Sequence, residues 1–85
     1  MRVTIPSPLL SYTGRREVQA EGRTLAAVLA DLDRQFPGIR FRMVDEQDQL
    51  RAHMRVFLDA EELRGLDSEL RPAATLHIVQ ALSGG

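Results

Sequence analysis

The stretch TLHIVQALSGG, Thr75–Gly85, joins a short alternating apolar pattern to two bare glycines. Leu76 and Ile78 have the spacing of inward-facing residues in a half-buried β-strand. The outward-facing residues of that strand are then Thr75, His77 and Val79. The glycines carry no Cβ, so the backbone after the strand can adopt many conformations and enter a narrow channel. The stretch therefore predicts a final strand, residues 75–80, that passes directly into a slim tail.

This tail, residues 81–85, is expected to be flexible and to follow a single domain of residues 1–80. A free carboxylate is a poor electrophile, but joined to AMP it becomes a mixed anhydride that a sulfur or nitrogen nucleophile can attack. The hypothesis is that the Gly85 carboxylate is the reacting group and that Gly84 keeps the approach to it unobstructed. The alternative is an ordinary frayed end or a linker remnant, in which glycine is common.

The composition narrows the class of protein. A chain of 85 residues buries only about 60% of its unfolded surface and offers no room for a deep catalytic cavity. The net charge of −1 argues against nucleic-acid binding through excess positive charge. The chain has no cysteine, which favours a reducing cytoplasm and excludes thiol nucleophiles and cysteine metal sites. No apolar run approaches the length of a membrane span, so no membrane partner is expected.

The N-terminal quarter reads as two strands separated by a loop. Residues 2–5 alternate and place Val3 and Ile5 inward. Pro6 and Pro8 end this strand, so residues 7–14 are predicted to form a loop. Residues 15–20 then form a second strand, a hairpin partner of the first, with Val18 as its clearest core residue.

One long helix follows. Thr24 is a suitable N-cap, and Pro37-Gly38 is a stop signal. Between them, five apolar residues repeat at helical spacing and form one stripe. They are Leu25, Val28, Leu29, Leu32 and Phe36. Residues 39–44 are expected to form a short second helical turn with Ile39 and Met43 inward.

The second half is predicted to contain a polar loop at residues 45–48, a strand at residues 54–58 and a turn at residues 59–62. The loop carboxylates lack recognisable ligand spacing, so no metal site is expected. In the strand, Val56 faces the core together with either Met54 or Leu58, while Arg55 and Phe57 face the other side. Residues 63–70 read as an irregular or short-strand segment that Gly65 interrupts.

This element order predicts an α+β fold, with a mixed four- to five-stranded sheet and one main helix packed on one face. The first and last strands would lie side by side in parallel. The other sheet face would remain open, with Phe57 and Val79 on it.

With the terminal Gly-Gly pair, this order resembles the ubiquitin-like β-grasp sulfur carriers of the MoaD, ThiS and CysO type. Four internal stretches resemble sequences that are usual in that family. They are Gly22-Arg23-Thr24-Leu25, Phe36-Pro37-Gly38-Ile39, Val56-Phe57-Leu58 and Leu76-His77-Ile78-Val79. The sequence departs from the family at two turns, Asp59-Ala60-Glu61 and Pro72-Ala73-Ala74, where glycine is usual. The exact turn types there remain open, because alanine tolerates positive φ poorly.

The resemblance implies a carrier, not an enzyme, or at most a non-catalytic subunit of a sulfurtransferase complex. A ubiquitin-activating-type adenylyltransferase would consume ATP to adenylate Gly85, and the chain would bind no cofactor. A sulfur donor protein or sulfide would convert the adenylate to a thiocarboxylate. A downstream synthase would take the sulfur for cysteine, molybdopterin, thiazole or a sulfur-containing natural product. Residues 7–14 and 24–32 favour the CysO branch slightly.

Two other functions fit the same tail. One is a ubiquitin-like modifier that forms isopeptide bonds through Gly85, and the other is the small subunit of a molybdopterin synthase complex. In each case the open sheet face is the expected contact surface for the partner. The predicted partner-binding residues are Arg55, Phe57, His77, Val79 and Leu82. A lone histidine is also common as an ordinary surface or packing residue.

Overall fold

The computed structural model describes residues 1–81. Within these residues the chain forms five strands, three α-helices and one 3-10 turn. The strands are β1 (Arg2–Thr4), β2 (Glu17–Gln19), β3 (Met54–Leu58), β4 (Glu61–Leu63) and β5 (Thr75–Gln80). The helices are α1 (Leu10–Thr13), α2 (Leu25–Gln35) and α3 (Ile39–Met43), and the 3-10 turn is Ser7–Leu9.

All five strands in the described part of the chain belong to one mixed sheet in the order β2-β1-β5-β3-β4. β1 and β5 pair in parallel, with Val3 opposite Leu76. The other three pairings are antiparallel. The predicted architecture, including the parallel contact between the first and last strands, is therefore confirmed. The chain's last described strand lies at the centre of the sheet.

Helix α2 covers one face of this sheet. It begins as predicted at Thr24, whose Oγ1 accepts a hydrogen bond from the Ala27 backbone N–H at 3.2 Å. Four residues of the predicted stripe are fully buried: Leu25, Val28, Leu29 and Leu32. Phe36 is half-buried, because the helix has already ended there. Gly38, at φ 96°, provides the left-handed conformation needed to turn the chain into α3, where Ile39 and Met43 are buried as expected.

The prediction that residues 7–14 form a loop is wrong. They form the 3-10 turn and α1, which Gly14 closes at φ 73°. Proline ends a strand because it cannot donate to the ladder, but its fixed φ also suits the first turn of a helix. Pro8 occupies such a position, and the turn buries Leu9 completely. Proline therefore has two structural effects here. The loop prediction took account of its effect on the strand but not of its preference for the first turn of a helix.

Three strands also differ in extent from the prediction, and the first of them, β1, ends at Thr4 instead of Ile5. β2 spans three residues instead of six, and β4 begins at Glu61, inside the predicted turn. The turn before β4 is made possible by Asp59, which has φ 53°. Aspartate tolerates this region better than most residues. The Asp59 N–H donates to the Thr75 carbonyl oxygen at 2.9 Å, and its Oδ1 accepts from the Thr75 N–H at 3.0 Å. An aspartate thus makes this turn without a glycine.

Asp31 on α2 ties the helix to the end of the β2 segment. Its carboxylate accepts hydrogen bonds from the Glu21 N–H and the Gln35 amide, each at 3.0 Å, and also pairs with Arg34. The Glu21 backbone hydrogen bond, followed by the Gln35 and Arg34 contacts, lowers the pKa of Asp31 against the opposing effect of burial.

We expect this carboxylate to make stability depend on pH. A lowered folded-state pKa contributes stability above the unfolded pKa of about 3.9, and that stability is lost as the pH falls through the folded value. Urea midpoints measured at pH 5 and pH 3 should therefore differ less in Asp31→Asn than in the unmodified chain. Glu46→Gln, an exposed carboxylate outside this contact, is the control. An equal pH dependence in Asp31→Asn and the unmodified chain would contradict the prediction.

Candidate functional site

The open face of the sheet is built around β5. Alternation along this strand buries Leu76 and Ile78 beneath the helices and turns His77 and Val79 to the opposite side. In β3, the same alternation buries Met54, Val56 and Leu58 and leaves Arg55 exposed. The predicted register of both strands is confirmed. The open choice between Met54 and Leu58 is also decided, since both face the core.

His77 lies at the middle of this face. Its Nδ1 lies 2.9 Å from the Thr4 Oγ1 across the parallel pair, within hydrogen-bond distance. On its other side, His77 is directly opposite Phe57 in the antiparallel pair. Both rings are half-buried. The centre of the face is therefore a histidine and a phenylalanine side by side, with the histidine ring held by a threonine.

The edge of the face carries charge. Arg55 is opposite Val79 in the sheet and makes an ion pair with Glu62 of β4 at 3.2 Å. Val79 is 40% exposed, one of the two most exposed large apolar side chains among residues 1–81. On the other side, Arg2 approaches Glu17 at 3.8 Å. An apolar centre with a charged rim has the composition of a protein contact surface.

The chain leaves the sheet beside this face. Gln80 is opposite Met54, and the Ala81 N–H donates to the His53 carbonyl oxygen at 2.8 Å. Of the predicted tail, residues 82–85 lie outside the described residues. They include Leu82, Gly84 and Gly85, which the sequence analysis predicts to be functional. The exit itself lies at the end of β5 that is next to Arg55 and Val79.

The structure thus brings four predicted partner-binding residues together on one surface: Arg55, Phe57, His77 and Val79. The sequence analysis missed two of their neighbours, Thr4 and Glu62. Thr4 was recoverable, because alternation from Val3 already places it on the open face. Glu62 could not be placed on this face from the sequence, because the pattern there predicts a turn and not a strand.

The described residues hold no group of three or more His, Cys, Asp or Glu side chains arranged to bind a metal ion. No helix between residues 1 and 81 combines the length and the apolar character that crossing a bilayer requires.

Comparison with known proteins places the whole sequence in one family. The sequence matches the ThiS family over residues 3–85, from the first strand to the last glycine. The chain belongs to the ThiS family. It is 32% identical to the sulfur carrier protein CysO of Mycobacterium tuberculosis over 89 residues, covering 98% of this chain and 96% of that protein.

Solved structures agree with this membership of the ThiS family. A chain in the crystal structure of the Amycolatopsis orientalis BexX/CysO complex superposes with a TM-score of 0.91 at 33% identity, covering 99% of this chain and 98% of that one. The crystal structure of Mycobacterium tuberculosis CysO superposes with a TM-score of 0.90 at 30% identity, covering 95% and 98%. The predicted ubiquitin-like β-grasp fold is confirmed by these ThiS-family and CysO relatives.

Proposed function

We propose that this chain is a CysO-like sulfur carrier whose Gly85 carboxylate is the reacting group. The carboxylate attacks the α-phosphorus of ATP and releases pyrophosphate, which leaves an acyl adenylate. Hydrosulfide then attacks the acyl carbon, the bond to AMP breaks, and loss of the S–H proton leaves a thiocarboxylate on Gly85. If a donor protein supplies the sulfur as a persulfide, the same attack gives an acyl disulfide, which a thiol reductant cleaves to the thiocarboxylate. The observation that carries the proposal is the family match through Gly85, on a fold whose central strand leads the chain off the sheet beside an open contact face.

The chain's own part in this chemistry is to present a carboxylate. The sulfur, the ATP and the groups that activate them come from partners. The chain therefore acts as a co-substrate and binds no cofactor itself. The partners would be a ubiquitin-activating-type adenylyltransferase, a sulfur donor protein or sulfide, and a synthase that accepts the sulfur. The Amycolatopsis orientalis BexX/CysO complex supports the expectation of a protein partner, because it contains a protein named CysO together with another protein. The cysteine-free composition suits a reducing cytoplasm, where we place these steps.

We further propose that the adenylyltransferase docks on the open sheet face. Phe57 and Val79 supply apolar area, Arg55 supplies a charge at the rim, and His77 is held in place by Thr4. Aromatic and arginine side chains are the types that most often dominate interface energy. Leu82, just beyond the described residues, is proposed as a further apolar contact with the same enzyme.

Intact-protein mass spectrometry tests the carrier function. Chain isolated natively from its own host is expected to contain a fraction heavier by the exchange of one oxygen for one sulfur, and fragmentation should place the exchange in the C-terminal peptide. Co-expression with the adenylyltransferase and a sulfur source should increase that fraction. A thiocarboxylate that never forms under these conditions contradicts the proposal. Gly85 found instead in isopeptide linkage to lysines of other proteins would assign the chain as a modifier.

A further inference from the structure

The structure contains an arginine-rimmed depression next to the point where the chain leaves the sheet. Its volume is about 270 Å³. Met54 and Leu63, both buried, and the half-buried Leu50 contribute apolar surface to its lining. Met54 is the residue opposite Gln80, so the depression adjoins the last sheet residue before the tail.

Three arginines and one glutamate line the same depression, which gives it a formal charge of +2 on a chain whose net charge is −1. Glu62 is shared between Arg55 at 3.2 Å and Arg64 at 3.9 Å. Arg64 remains 85% exposed. Arg51 has no carboxylate within ion-pair distance among residues 1–81. One carboxylate therefore leaves most of this positive charge available to a partner.

Arg51 is held in place and not free to turn away. Its Nε donates to the Phe41 carbonyl oxygen at 2.8 Å, and its guanidinium lies 4.7 Å from the centre of the Phe41 ring. Phe41 is 61% exposed. The two most exposed large apolar side chains of the described residues, Phe41 and Val79, are thus each next to an arginine of this depression. Aromatic residues, phenylalanine among them, and arginine are enriched in protein interfaces relative to the rest of the surface.

We infer that this depression binds an acidic segment of the adenylyltransferase, located at the mouth of the channel that receives the tail. The inference rests on the proposed function and extends the open-face contact around the sheet edge, because Arg55 belongs to both surfaces. An enzyme that draws the tail into its active site must contact the surface around the tail's exit. On this chain, that surface is positive, and opposite charges there orient the approach and raise the association rate.

The test is a charge reversal with a matched control. The double variant Arg51→Glu/Arg64→Glu is compared with Arg15→Glu/Arg23→Glu, which makes the same charge change at two exposed arginines outside the depression. Binding of each to the adenylyltransferase from the same host is measured without ATP at several NaCl concentrations. The first variant is expected to raise Kd at least about tenfold and to flatten its salt dependence, while the control stays within about twofold. Equal Kd values for the two variants overturn the inference.

Folding of each variant is checked by circular dichroism and thermal unfolding, because Arg51 also bonds to α3. If Arg51→Glu disturbs the fold, Arg64→Glu alone decides the question, since that side chain is highly exposed and its only ion pair within residues 1–81 is a long one. ATP–pyrophosphate exchange, run in parallel, separates the two proposals. If binding depends on the arginines but no exchange occurs, the docking surface is supported and the proposed function is rejected. If exchange occurs but binding does not depend on the arginines, the proposed function is supported and the docking surface is rejected.

Two other occupants are distinguishable in the same experiment. The binding series is repeated with a chain of residues 1–81. If charge reversal weakens binding of the full chain but not of this shortened chain, the depression holds the chain's own tail and the inference is overturned. Sedimentation velocity is expected to show a monomer; a dimer that the Arg51→Glu/Arg64→Glu variant dissociates would also overturn it.

Discussion

Deletion of Gly84 and Gly85 is expected to abolish adenylation while leaving the melting temperature nearly unchanged. The two glycines carry no side chains and follow the last strand, which ends at Gln80. Their removal would leave the terminal carboxylate about 7 Å short of its normal reach. A misplacement of about 1 Å can already reduce a rate by about 100-fold, so a loss well beyond 100-fold is expected.

ATP–pyrophosphate exchange and thermal unfolding measure the two halves of this prediction. Ser83→Ala, which keeps the chain length and both glycines, is the control and should be adenylated normally. A large fall in melting temperature after the deletion would mean that the glycines pack against the domain and serve a structural purpose. Substantial exchange by the shortened chain would show that Gly85 is not the reacting group.

Phe57→Ala is expected to raise KM for the chain in adenylation by about 30-fold, with little change in kcat. This corresponds to a binding loss of about 2 kcal/mol, the level at which an interface residue counts as a hot spot. The reason is position, since Phe57 adjoins His77 at the centre of the open face, on the same face as Arg55 and Val79, which lie next to the exit of the tail. Because the ring is half-buried, the free energy of unfolding should also fall by about 1–2 kcal/mol.

Val56→Ala provides the matched control, because it changes the neighbouring residue on the opposite face of the same strand. Val56 is fully buried, so its truncation should lower the free energy of unfolding by about 2–3 kcal/mol. Below the unfolding transition, however, KM should remain at the unmodified value. Urea denaturation and steady-state adenylation should thus give opposite rankings for the two variants. A KM for Phe57→Ala equal to that of the unmodified chain would exclude the open face as the docking surface.

The elements with strong local signals were predictable from the residues alone. Thr24 caps α2 through its own side chain, the stripe from Leu25 to Leu32 is a helical repeat, and the alternation in β3 and β5 determines which side chains are buried. Each of these signals is a periodicity that matches the geometry of one element. The predictions were wrong where a residue type fits more than one local structure. Prolines at residues 6 and 8 end a strand and also start a helical turn, and a short acidic run conceals β4.

The sequence by itself determined which side chains of β3 and β5 face the core, where the main helix lies, and, through its Gly-Gly motif, the resemblance to the family that the comparisons confirm. These follow from local geometry and from the small size of glycine. Only the tertiary structure decided what surrounds the tail's exit. Arg51 precedes β3, Arg55 lies within β3 and Arg64 follows β4, and no local pattern relates the three. They share one depression because β3 pairs with β4 on one side and with β5 on the other, and such pairing depends on burying a common core.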